Sequence, residues 1–89
     1  MNIDYENLER DLFDGTLRIN LQEELTAGFH QIQQTGERLP VASHYAAQIA
    51  EIINRQATLT SAQQFELYQE VLEAVEGARV KVLGEAIEN

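Results

Sequence analysis

The sequence predicts an all-α protein: a small bundle of four helices with a long C-terminal one, or of five if that last helix breaks at Gly77. Three observations carry this reading. Apolar residues recur at three- and four-residue intervals in successive stretches of the chain. Asp4, Asn20 and Thr60 stand where helix N-caps belong. The single short alternating stretch, Thr16 to Ile19, has no second strand to pair with. An 89-residue chain holds one domain, residues 1–89, and its 44% hydrophobic residues suffice for a packed interior despite a formal charge of -9.

The first helix opens on Asp4, whose carboxylate can accept from a free backbone N–H, and sets Tyr5, Leu8 and Leu12 on one side before Gly15 ends it. Thr16 to Ile19 reads as an extended connector with Leu17 and Ile19 turned inward. Asn20-Leu21-Gln22-Glu23 has the spacing of a capping box, so the second helix is expected to begin there. Its face comprises Leu21, Leu25, Phe29 and Ile32, with Gly28 beside them where another backbone can come close, and Gly36 gives the left-handed exit.

Pro40 suits the first turn of a third helix, on which Val41, Tyr45, Ile49, Ile52 and Ile53 form the apolar face and Ala42, Ala46 and Ala50 its border. Thr60-Ser61-Ala62-Gln63 is a second capping box, and the helical pattern after it persists almost to the end. Phe65, Leu67, Tyr68, Val71, Leu72, Val75, Ala78, Val82, Leu83 and Ala86 share one arc of this last helix. Glu66, Glu70, Glu73 and Glu76 hold the other side. Gly77 weakens the helix by about 1 kcal/mol relative to Ala, which makes a break there the alternative to a continuous rod.

A helix over 61–88 would be about 42 Å long, against a diameter of roughly 30 Å for a compact chain of this size. On that comparison Val75, Ala78, Val82, Leu83 and Ala86 would lie exposed in a lone chain and form an interface, with a second copy or with another protein.

Composition excludes several chemistries. Without cysteine there is no disulfide, no thiolate nucleophile and no cysteine-built zinc site, which suits a cytoplasmic protein. No long apolar run and no signal-peptide pattern appears, so no membrane partner is expected. Acid outnumbers base at both ends, net -4 over residues 1–14 and again over 61–89, which opposes direct nucleic-acid binding. Ser43 and Ser61 sit near helix starts, where their hydroxyls serve as caps, and His30 and His44 read as solvent-facing.

Glu70 and Glu73, Glu73 and Glu76, Glu85 and Glu88, and Glu6 and Glu9 have the Glu-x-x-Glu spacing with which helical nucleotide pyrophosphohydrolases hold magnesium. Glutamate-rich helix surfaces produce that spacing by chance. No catalytic residue, cofactor or metal ligand is assigned on this basis. The leading expectation is a non-enzymatic interaction module: an acidic helical homo-oligomer, or an inhibitor- or antitoxin-like protein by analogy of class. It would dock on a basic partner through the stripe Glu66, Glu70, Glu73 and Glu76. The alternatives are a small magnesium or manganese enzyme using the Glu-x-x-Glu pairs, and an oligomer that sequesters a nucleotide between Tyr45, Tyr68, Arg55 and Arg79.

Overall fold

In the computed structural model, which describes the backbone of residues 4–56 and 58–88 and the side chains of 4–55 and 58–84, four helices follow one another. They are α1 (Tyr5–Asp14), α2 (Leu17–Gln34), α3 (Ala42–Gln56) and α4 (Ser61–Glu88). Asp4 caps α1 as its sequence position requires: the Asn7 backbone N–H donates to Asp4 Oδ1 (3.2 Å) and its amide to Oδ2 (2.9 Å). At the other end Gly15 takes φ 77° and its N–H reaches the Leu12 carbonyl, while Thr16 N–H donates to Asp11 O at 3.0 Å. That pair of bonds satisfies two carbonyls left free by the helix end and turns the chain within two residues.

The expected connector over Thr16 to Ile19 is instead the first turn of α2. Leu17 is one helical turn before Leu21, and Leu21 one turn before Leu25, so helical geometry aligns three leucines on one face; all three are fully buried. An extended connector would also have turned Ile19 inward, whereas it is exposed. Asn20 therefore lies inside the helix, with its amide donating back to Thr16 Oγ1 at 3.3 Å. The box around Thr60 does form: Thr60 N–H donates to Gln63 Oε1 (2.9 Å) and Gln63 N–H to Thr60 Oγ1 (3.2 Å).

On α3 the buried residues are Ala42, Ala46, Ile49 and Ile53, while Val41, expected in the core, is 65% exposed. The face is rotated towards its alanines because small side chains allow α4 to approach closely. On α4 the buried set is Leu67, Val71, Ala74, Val75, Ala78 and Val82; Phe65 and Leu83 are exposed, and Tyr68 and Leu72 half-buried. The core arc is thus narrower than the whole apolar pattern.

Gly77 does not interrupt α4, and no fifth helix occurs among the described residues. A Cβ at Gly77 would meet the side-chain amide of Gln22 at 2.5 Å, so the glycine leaves room for the end of that side chain of α2. Arg18 lies beside Glu73, Gln22 beside Gly77, and Thr26 shares a depression with Lys81, so α2 runs in the same direction as α4. α3 runs the opposite way, its end near Gln64 and its start near Leu83. Together they cover the apolar side of α4 from Leu67 to Val82.

The exposure expected of the interface residues differs from what the fold gives them. Val75, Ala78 and Val82 are fully buried within a single chain; Leu83 remains 40% exposed, and Ala86 lies outside the described side chains. The comparison with a sphere failed because the molecule is a rod, 43 × 20 × 18 Å, whose long axis matches the length of α4. An 18-residue α2, about 27 Å long and placed beside the later part of α4, covers what a compact globule could not.

α1 lies across α2 and α3 and brings Asp4 and Asp11 towards Glu24. Partial burial and the two aspartates raise the Glu24 pKa above its ordinary 4.5. A raised carboxyl pKa means that the folded chain gains from Glu24 protonation: the contribution is full below the ordinary value and is lost as pH rises through the raised one. Glu24→Gln is accordingly expected to raise Tm near neutral pH by about one or two degrees, small because solvent screens an exposed side chain. Below roughly pH 4 the advantage should vanish, and thermal melts across that range check it.

Candidate protein-interaction surface

Where the last turn of α1 meets the first turns of α4, the surface sinks into a depression lined by Leu12, Phe13, Leu59, Gln63, Glu66 and Glu70. The local sequence accounts for each part. The Thr60–Gln63 box fixes the start of α4, and four-residue spacing then stacks Glu66 and Glu70 on one face. α1 turns Leu8 into the core and leaves Phe13, more than 100° further round the helix, 69% exposed. An exposed phenylalanine beside two carboxylates makes a depression with an apolar wall and an acidic wall.

The acidic stripe is divided by its neighbours. Glu66 and Glu70 line the depression, Glu73 lies 3.9 Å from Arg18 Nε of α2, and Glu76 is exposed further along. Arg18 and Glu73 are both more than half exposed, so their pairing contributes less than about 1 kcal/mol. Among the described residues no polar or charged residue is buried, and no group of three or more His, Asp or Glu is placed to hold a metal ion. The carboxylates of Glu73 and Glu76 point to solvent.

No protein-family model, curated protein or solved structure matches this chain.

Structure also separates the residues grouped for a nucleotide. Tyr45 and Arg55 border one depression on α3, Tyr68 borders another between α3 and α4, and Arg79 lies at the far end of the rod. Arg55 is held by Glu51 at 2.6 Å, and Tyr45 packs its ring 6.1 Å from that of Phe29. Within one chain these four do not form a site. His44 is exposed, 3.1 Å from the Gln48 amide, but His30 is half-buried where solvent exposure was expected. No helix among the described residues is long and apolar enough to cross a membrane.

Phe13 and Leu59 were missed by sequence reasoning. The available signal was an aromatic residue off the apolar face of its own helix: Tyr5, Leu8 and Leu12 define that face, and Phe13 has no place on it.

Proposed function

We propose that this chain is a non-enzymatic interaction module of the cytoplasm that takes a basic, partly apolar segment of a protein partner into the depression between α1 and α4. The observation that carries the reading is the placement of exposed Phe13 against Glu66 and Glu70. A lysine- or arginine-bearing helix flanked by apolar residues matches both walls: the carboxylates steer and orient it, and desolvation of Phe13, Leu12 and Leu59 supplies the anchor. Small acidic inhibitors and antitoxins offer an analogy of class for such a role. Val75, Ala78 and Val82 of α4 play no part in it, since they are buried within the chain.

A fluorescent amphipathic peptide of alternating lysine-rich and leucine-rich faces serves as the probe. Wild-type protein is expected to bind it with an affinity that falls as salt rises. Glu66→Lys with Glu70→Lys should weaken binding by about a hundredfold, and Phe13→Ala by about tenfold. Glu23→Lys with Glu37→Lys changes the net charge equally but leaves the depression intact. If that control weakens the probe as much as the pair at Glu66 and Glu70, overall charge is responsible and the site is refuted.

A further inference from the structure

The opposite end of α4 carries a second depression with the reverse sign. Gln33 of α2, Glu37, Arg38 and Leu39 from the turn between α2 and α3, Val41 before α3, and Arg79 and Leu83 of α4 line it. Val41 and Leu83 are exposed apolar side chains. Neither arginine is ion-paired with a described residue, although the chain has fifteen acids and only six Lys plus Arg. Arg79 Nε is withdrawn from solvent and no acceptor among the described residues reaches it. Buried donors in folded proteins are nearly always satisfied, so this N–H, in a depression shared with the Arg38 guanidinium, marks a place for an incoming acceptor.

The surroundings select which acceptor. The planar fork of a guanidinium matches a carboxylate, and two arginines here call for two carboxylates. Val41 and Leu83 require apolar side chains beside it. A carboxylate next to exposed apolar groups is what the other end of the rod presents, at Glu66 and Glu70 with Phe13 and Leu59. The two ends cannot meet within one molecule, because Glu70 and Arg79 are separated by about 14 Å along a straight helix and the depressions open at different heights.

We infer that the acidic end of one copy docks in the arginine end of a second copy, so that the protein assembles head to tail. The inference rests on the proposed role of the acidic depression as a docking site and names this chain as a partner for it. Because the two patches differ, the contact is heterologous and each added copy leaves both kinds of end available. Electrostatic attraction makes such association weaken with salt.

Sedimentation equilibrium from micromolar to millimolar protein tests this. The mass is expected to rise above 10.1 kDa with concentration at low salt and to return to it at high salt. The variants Arg38→Glu with Arg79→Glu, and Glu66→Lys with Glu70→Lys, should each stay monomeric alone. An equal mixture of the two should associate again, since every reversed end then meets its complement. Circular dichroism confirms that each variant is folded, and Arg38→Glu alone, on the exposed turn, replaces the first pair if Arg79→Glu unfolds the chain. Wild-type protein that remains monomeric throughout, or reversed variants that do not recombine, overturn the head-to-tail contact. If the lysine-rich peptide still binds in that case, the acidic docking site survives; if it does not, both fall together.

Discussion

Val75→Glu is expected to unfold the protein, whereas Leu83→Glu on the same helix should leave its helical content and Tm nearly unchanged. Val75 is fully buried, with α4 continuing for three turns beyond it, so the helix cannot escape by fraying at its end. The substitution removes roughly 1.5–3 kcal/mol of side-chain burial. It also places a carboxylate among Val71, Ala74 and Ala78 with no buried polar partner, at a further cost of several kcal/mol. A chain of 89 residues has about 4–13 kcal/mol of stability in all. Leu83, at 40% exposure, can direct a glutamate into water. Far-ultraviolet circular dichroism and urea titration of the two variants measure the contrast. A folded Val75→Glu protein of near wild-type stability would show that α2 and α3 do not sheathe α4, and an apolar interface on this face would again be open.

That contrast locates the point at which sequence reasoning stopped. Periodicity established that Val75 and Leu83 both belong to the apolar side of the last helix, because spacing reports direction around an axis. It does not report which neighbouring helix lies at that height. The exposure was inferred from a compact globule about 30 Å across, whereas helices laid along α4 make a rod 43 Å long. Caps were legible wherever the side chain meets the backbone nearby, as at Asp4 and Thr60. Asn20 shows the converse, for the same spacing occurs within a helix already begun by the burial of Leu17.

The candidate site was legible in half. Glutamates at 66 and 70 stand out from spacing and charge, but Phe13 and Leu59 are distant in sequence from them and join only when α1 folds beside the start of α4. A local pattern cannot signal such a meeting. The arginine end is more remote still, since Arg38, Val41 and Arg79 come from a turn, a helix approach and a helix face. In both depressions the informative residue breaks the rule of its segment: Phe13 lies off the apolar face of α1, and Val41 is left outside the core by the rotation of α3. Departures from local consistency of this kind are where function is expected to lie.

Phe29→Ala should cost about 3–5 kcal/mol, the largest loss expected from any truncation of a single core side chain here. Phe29 has the greatest volume among the fully buried residues, and its ring meets Tyr45 at 55° and 6.1 Å, a tilted contact that joins α2 to α3. Burial and neighbouring Tyr5 raise the Tyr45 pKa above 10.0, so stability from the protonated phenol is complete below that value and is lost as pH climbs through the raised one. A double-mutant cycle of Phe29→Ala and Tyr45→Ala should return a coupling of about 0.5–1.5 kcal/mol near neutral pH. Neither residue borders the depression between α1 and α4, so the folded fraction of Phe29→Ala should bind the lysine-rich peptide as wild type does. Measured at a temperature where the variant is still folded, equal affinity would separate the residues that hold the rod together from those that meet a partner. A parallel loss of affinity and stability would mean instead that the depression is shaped by the aromatic contact at a distance.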